Sequence, residues 1–231
     1  MKFKNNIPTQ INSIARFFLI FITLFSYNIF NLEGQQTNKG VNISWQELYL
    51  YHEFDKKWET GILFKTYVSF DHGFFDWFVQ GNAGYNLLPW FKLEALYRQE
   101  YYKISQDSIM WTYEMRPMLR ISSSFKLKKF SFRQRNRVEV RLFELFKTRY
   151  RFRSDFRIKY SSGITSFDLS PYITEEVFLG KGGYNRNRLY LGISGKNGKF
   201  SPVLYMLMQS TNLKSQWVSQ WILGAALDIK I

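Results

Sequence analysis

Apolar and polar side chains alternate with a period of two over almost all of the chain after residue 42. In 58–70 the even-numbered residues form the apolar set, and in 75–85 the odd-numbered residues, beginning with Phe75, do so. A period of two places alternate side chains on opposite faces of a β-strand. Gly, Asn, Asp and Ser mark the breaks between strands. Eleven segments are visible: 43–53, 58–70, 75–85, 91–101, 109–121, 130–142, 149–160, 164–177, 186–195, 200–210 and 216–230.

The length of these segments favours a membrane-spanning barrel. Many are longer than the 5–6 residues usual in globular proteins, and a tilted membrane-crossing strand needs roughly 9–11. Aromatic residues also end the apolar faces, as interfacial girdles do. A soluble barrel with apolar side chains inside has the same period. The length of the segments, the aromatic residues at their ends and the export signal described below favour a barrel whose apolar face contacts lipid. The prediction is an all-β fold: a single antiparallel transmembrane β-barrel of 10–12 strands with a charged, Arg-rich lumen. Because bacterial single-chain barrels have even strand numbers, we expect ten or twelve.

The N-terminus has the layout of a secretory signal. Lys2, Lys4 and Arg16 precede the apolar run 17–32, and Gly34 follows it just before a polar stretch. A transmembrane anchor is the alternative, but this run is shorter than the ~20 residues that a span needs. We therefore expect a signal peptide at 1–34, a short lead at 35–42 and a barrel at 43–231. The expected location is the outer membrane of a Gram-negative bacterium, reached by a cleaved signal.

Composition narrows the chemistry. The chain has 32 Lys+Arg against 18 Asp+Glu, a formal net charge of +14, and 19% aromatic residues. Such a charge indicates nucleic acid, an anionic membrane surface or anionic cargo as partner. Nucleic acid is disfavoured, because the chain is exported and its arginines lie on one face of long strands. With no Cys, and only His52 and His72, no metal site and no cofactor is predicted.

The most basic stretch is Arg133–Tyr160, which carries eight arginines in 28 residues with apolar residues between them. It resolves into two strands around the turn "FELFK", with the arginines facing the lumen. A basic pore that selects anions is one interpretation. The other interpretation is a lumen filled by side chains that form ion pairs between neighbouring strands. We favour it because the inward row of arginines on each strand, which we call an arginine ladder, also contains an acid. The predicted lumen charge network is Arg98, Glu114, Arg116, Arg133, Arg135, Arg137, Glu139, Arg141, Arg149, Arg151, Arg153, Asp155 and Arg157.

Several stretches resemble the bacterial outer-membrane barrels catalogued as domain of unknown function 2490. They are the opening strand with Trp45, "DKKWETGILFKTYVSF", "RQRNRVEVRLF" followed by "TRYRFRSDFRIKY", and "PYITEEVF" before "YNRNRLYLGI". The resemblance covers roughly 43–231 and implies the fold and the location, but no chemistry. The partners expected of such a protein are outer-membrane lipid, the barrel-assembly machinery and small anionic solutes.

The expected function is a structural or narrow-pore barrel with a basic, ion-paired lumen. The alternative is an enzyme that acts on lipid at the membrane rim, which needs Ser and His within hydrogen-bond reach. His52 has Ser44 near it in sequence, and His72 lies in the turn "DHG". Because no serine lies in a nucleophile-elbow motif, no catalytic residue is predicted.

Overall fold

The computed structural model describes residues 36–105, 108–161, 168–213 and 215–231. The predicted signal peptide at 1–34 lies outside these residues and stays a prediction. Within the described part, the compact unit runs from Thr37 to Ile231. No helix in that part of the chain is long and apolar enough to span a membrane.

The described residues form eleven long β-strands, as the alternating pattern predicts. β1 begins at Gln36, so it also covers most of the segment that the sequence analysis treats as a lead. The strands are β1 Gln36–Glu53, β2 Trp58–Ser69, β3 Gly73–Leu88, β4 Phe91–Lys103, β5 Trp111–Leu127, β6 Phe130–Phe143, β7 Arg149–Tyr160, β8 Ser170–Gly180, β9 Gly183–Ser194, β10 Phe200–Leu213 and β11 Gln216–Lys230.

The strands close into one barrel in which each strand lies beside the next and β1 lies beside β11. Successive strands pair antiparallel. Since directions alternate over an odd number of described strands, β1 and β11 run the same way. The Ile231 amide donates to the Tyr51 carbonyl at 2.9 Å at the end of this seam. The predicted all-β barrel of 10–12 strands is confirmed, whereas the expected even number is wrong for the described residues.

The barrel has two ends, which we name after residues in their turns. The Trp90 end carries the turns at 54–57, 89–90, 128–129 and 195–199, and β11 finishes there. The His72 end carries the turns at 70–72, 144–148 and 181–182, and β1 begins there. In the first turn the Asp55 carboxylate accepts hydrogen bonds from the backbone amides of Trp58 and Lys57 at 2.7 and 2.6 Å. These two bonds hold the pKa of Asp55 below its ordinary value.

The outward face is apolar, and the inward face combines charge with a local aromatic cluster. Outward side chains such as Phe64 and Leu119 are 43% and 69% exposed. On β1, β8, β10 and β11 the lumen holds a buried cluster of Ile43, Trp45, Tyr172, Tyr205, Leu207 and Ile222. The ring of Tyr205 lies over Gly224, where any Cβ atom would clash with it. Only glycine therefore fits opposite this tyrosine.

One of the register shifts between neighbouring strands changes which face a predicted residue occupies. The pairing of β2 with β3 shifts register between Tyr67 and Val68, where Asp76 lies opposite Tyr67 and Phe74 opposite Val68. The extra residue, Phe75, packs against the lumen cluster. The sequence analysis placed Phe75 on the outward apolar face, and this is wrong because the bulge inserts one residue and turns its side chain inward.

Candidate functional site

A buried carboxylate on β6 organises the middle of the lumen. Glu139 has 0% exposure, and its oxygens lie 2.9 Å from Arg137, 2.5 Å from Arg151 and 3.2 Å from Arg153. The pairing register makes this meeting possible, because Glu139 lies opposite Arg151 and Arg137 lies opposite Arg153. Arg153 continues to Glu176 on β8. We call Glu139 with these three arginines the Glu139 layer.

A second chain of ion pairs runs across β4, β5 and β6. Glu114, with 0% exposure, pairs with Arg116 at 2.8 Å and with Arg141 at 2.7 Å. Arg116 also reaches Glu100 at 2.9 Å, and Arg98 approaches the same carboxylate at 3.3 Å. Glu114, Arg116 and Glu100 therefore each have two oppositely charged partners, which satisfies buried charges that would otherwise be costly.

Towards the Trp90 end, Glu94 on β4 forms a close ion pair with Arg120 on β5. Both of its oxygens accept hydrogen bonds from Arg120, at 2.5 and 2.6 Å. Lys92 lies 3.1 Å from Glu94 and 2.8 Å from Glu59 on β2. Bidentate pairing of this kind is among the stronger charge-assisted contacts in proteins.

A different arrangement occupies the Trp90 side of β6 and β7. Asp155 lies 2.9 Å from Arg135, whereas its distance to Arg133 is longer, at 3.5 Å. Arg157 donates instead to the hydroxyl of Thr174 at 2.8 Å. The Nε and Nη2 atoms of Arg133 are buried and have no hydrogen-bond partner among the described residues. We call Arg133, Arg135 and Arg157 with Asp155 the Arg133 cluster.

Two cavities are found in the described lumen. The larger, of about 500 Å³, lies towards the Trp90 end, where Pro89 and Trp90 contribute to its wall, and it contains the Arg133 cluster. The smaller, of about 240 Å³, lies towards the His72 end. Four side chains border both cavities, and they form the partition between them: Tyr67, Arg98, Arg153 and Arg188.

The thirteen predicted lumen residues all occupy inward-facing positions of β4 to β7. The structure brings most of them into the ion pairs described above. Arg149 is the exception, because it lies at the start of β7 with its guanidinium 5.4 Å from the ring of Phe143. Arg157 is inward but hydrogen-bonds to a hydroxyl.

Several inward residues escaped the sequence analysis. Phe178 has 1% exposure in the lumen, and its ring lies within 4.6 to 5.6 Å of four guanidiniums, those of Arg151, Arg153, Arg186 and Arg188. Such cation–π contacts stabilise buried arginines. The alternating run "YNRNRLYL" carried a signal for Arg186 and Arg188. No simple pattern marks Phe178, because a phenylalanine in a barrel strand is usually assigned to the lipid face.

Glu47 and Lys65 form another pair that the sequence analysis did not place in the lumen. Lys65 Nζ lies 2.8 Å from Glu47, and 3.7 Å from the centre of the Trp45 ring. The Tyr205 hydroxyl donates to the same carboxylate. Both charges fall at alternating positions of β1 and β2, so the period of two could have identified them.

The two histidines lie at opposite ends of the barrel. His52 Nδ1 donates to the Ile231 carbonyl at 2.7 Å near the Trp90 end, whereas His72 is in the turn at the other end. Ser44 is eight residues from His52 along β1, a distance of roughly 26 Å in an extended strand. Ser44 and His52 therefore cannot form a catalytic pair. Among the described residues, no group of three His, Asp or Glu side chains could hold a metal ion.

Comparison with known proteins gives one family. The model of the family described as "Protein of unknown function (DUF2490)" matches residues 42–220. No curated protein matches the chain.

Proposed function

This chain belongs to the DUF2490 family, and from that premise we propose that it is an outer-membrane β-barrel protein of the structural type, with a lumen closed by paired charges. In this proposal a cleaved signal exports the chain to the outer membrane of a Gram-negative bacterium. Its partners there are outer-membrane lipid and the barrel-assembly machinery.

The outer surface supports a membrane location. Large apolar side chains point outward along the strands, with exposures such as 47% for Ile62 and 66% for Leu204. In water this much exposed apolar surface would promote aggregation, whereas hydrocarbon solvates it. Closure of the sheet also pairs the strand edges, which hydrocarbon requires because it offers backbone groups no hydrogen bonds.

Aromatic pairs mark both ends of the apolar band. Trp58 and Tyr85 pack at 4.8 Å near the Trp90 end. Phe74 and Trp111 pack at 5.5 Å near the His72 end. Aromatic girdles at two interfaces are typical of transmembrane barrels. In this proposal, the two pairs lie at the two surfaces of the membrane.

The filled middle of the lumen is the observation that favours a structural barrel over a porin. The Glu139 layer and Phe178 place three guanidiniums, a carboxylate and an aromatic ring at two adjacent levels of the barrel. These side chains are tied to one another, so opening a path for a hydrated solute would break several charge-assisted contacts together. We expect the barrel to be closed to solutes, with a narrow anion pathway as the alternative.

Migration on gels tests the membrane barrel. Protein extracted in mild detergent should run at a different apparent size before and after boiling, because a closed barrel resists the gel detergent until it is heated. A chain that stays monodisperse in buffer without detergent would contradict the proposal.

Planar-bilayer recording tests the closed lumen. Reconstituted protein should give no steady conductance steps. Reproducible anion-selective steps would instead support the narrow pore. In that case the replacement of Arg135 and Arg151 by Ser should lower the anion preference while the heat-dependent gel shift persists.

A further inference from the structure

The larger cavity has an excess of positive charge that its own acids do not balance. Ten Lys and Arg side chains border it against six Asp and Glu. Five of these acids already have close basic partners: Glu94 with Arg120, Glu176 with Arg153, Asp155 with Arg135, Glu47 with Lys65 and Glu59 with Lys92. The unmatched charge therefore falls on arginines that lack a close carboxylate.

Two of these arginines lie side by side. Arg133 on β6 is directly opposite Arg157 on β7, and Ser124 on β5 is directly opposite Arg133. Neighbouring strands lie about 4.8 Å apart, so the three side chains form one row across three strands. All three face the larger cavity.

The row presents hydrogen-bond donors rather than acceptors. The Nε and Nη2 atoms of Arg133 have no hydrogen-bond partner among the described residues. The Arg157 Nε is occupied only by the neutral Thr174 hydroxyl. Adjacent guanidiniums with so little compensation are costly in a partly buried place, unless an anion binds between them.

We propose that the larger cavity binds the phosphate group of a phosphate monoester, with Arg133 and Arg157 as the principal ligands and Ser124 as a neutral donor. A phosphate dianion matches two guanidiniums in charge, and its oxygens match their paired N–H groups in geometry. The volume of about 500 Å³ falls within the range of small-molecule sites, ~300–1,000 Å³. Trp90 on the same wall offers a ring to the organic part of the ligand. Entry is from the Trp90 end.

This inference rests on the proposed barrel but goes beyond it, because a closed barrel need not bind anything. The phosphate group could belong to a soluble ester or to a lipid headgroup that reaches the rim. Both sources present the same chemistry to Arg133 and Arg157, so the experiment includes one probe for each.

The test is calorimetric titration of the purified full barrel in detergent, after its heat-dependent gel shift has shown that it is folded. Glucose 6-phosphate represents soluble esters, and dihexanoyl phosphatidic acid represents lipid headgroups. Glucose and potassium chloride at matched ionic strength are the controls. We expect saturable binding of at least one phosphate probe and none of glucose.

Variants locate the site. Arg133→Gln and Arg157→Gln should each weaken binding about tenfold or more, as expected for the loss of a charge-assisted contact. The matched control is Arg186→Gln, which removes a lumen arginine that borders the smaller cavity, and it should change affinity less than about twofold. Asp155→Asn should strengthen binding, because it removes the carboxylate that competes for Arg133 and Arg135. A gain of affinity cannot come from misfolding.

The outcomes separate the two proposals. If the folded barrel binds neither phosphate probe saturably, the phosphate site is overturned and the structural barrel stands. The same conclusion follows if Arg186→Gln weakens the affinity for the probe as much as Arg133→Gln and Arg157→Gln do. Absence of the gel shift overturns the barrel itself. Binding of glucose 6-phosphate alone assigns a soluble ester, and binding of phosphatidic acid alone assigns a lipid headgroup.

Discussion

The Glu139 layer and the Arg133 cluster use the same two strands and nearly the same residue types, yet they differ in how their charges are satisfied. Each groups three arginines with one acid of β6 or β7. In the layer all three guanidiniums lie 2.5–3.2 Å from a carboxylate that has 0% exposure. In the cluster one arginine lies 2.9 Å from Asp155, the second lies 3.5 Å away, and the third hydrogen-bonds to a hydroxyl.

The presence of a second acid on the neighbouring strand explains this difference. Glu139 faces Arg151 across the strand pair, and Arg137 and Arg153 occupy the next level. Glu176 on β8 supplies a second carboxylate to both of these arginines. Asp155 likewise faces Arg135, and Arg133 and Arg157 occupy the next level, but their neighbours on β5 and β8 are Ser124 and Thr174. A second carboxylate therefore decides whether an opposed arginine pair completes a structural layer or remains available to a ligand.

The largest expected effect is the loss of Glu139. Glu139→Gln should lower the free energy of unfolding by about 3–5 kcal/mol, because three buried guanidiniums lose their shared countercharge. Urea titration of the protein in detergent, followed by tryptophan fluorescence, measures this. Glu53→Gln is the matched control, since it makes the same chemical change at a solvent-exposed pair. If the two variants unfolded at the same urea concentration, the layer would not be structural.

Loss of Asp155 should have an intermediate effect that an added anion reverses. We expect Asp155→Asn to lower the free energy of unfolding by about 2–3 kcal/mol, because Arg135 loses its carboxylate partner. Glucose 6-phosphate should restore the unfolding midpoint of this variant and should not restore that of Glu139→Gln. Thermal unfolding with and without the ester measures both. Equal recovery of the two variants would mean that the ester acts on the whole lumen.

Arginine substitutions should separate the two regions further. Arg153→Gln should lower the free energy of unfolding by about 1–3 kcal/mol, because Glu139 and Glu176 both lose a basic partner. Arg133→Gln should change stability by less than about 0.5 kcal/mol, since the like charge of Arg157 is relieved as the weak contact to Asp155 is lost. Urea titrations of the two variants side by side measure this contrast. A larger cost for Arg133→Gln would show that it supports the fold.

The smallest effect is expected at the seam between β1 and β11. Lys230 lies 2.5 Å from Glu53, but both side chains are more than 40% exposed. Exposed ion pairs contribute little to stability and are screened by salt. Lys230→Gln should leave the urea midpoint unchanged at low and at high salt. A clear loss at low salt would show that this contact holds the seam.

The barrel could be predicted from the sequence because alternation fixes which side chains share a face. Arg133 to Arg141 and Arg149 to Arg157 fall on inward positions for that reason. The alternation also showed eleven segments, which is the number of strands described, and the expectation of an even number came from other barrels. The bulge that turns Phe75 inward depends on pairing between β2 and β3, which a single segment does not reveal.

The charge partners were harder to predict than the faces. An arginine ladder shows that acids are needed, but the register between strands decides which acid each arginine meets. Glu176 contacts Arg153 from the neighbouring strand β8, and the Phe178 ring from that strand packs against arginines of β7 and β9. These contacts depend on the shear of the closed barrel, which is a property of all strands together.

The parallel closure of β1 on β11 has a consequence for sidedness. Gln36, at the start of β1, and Lys230, at the end of β11, lie at opposite ends of the barrel. In the proposed membrane location, the first residue of β1 and the last residue of β11 would lie on opposite sides of the bilayer. An even-stranded barrel places the two on the same side.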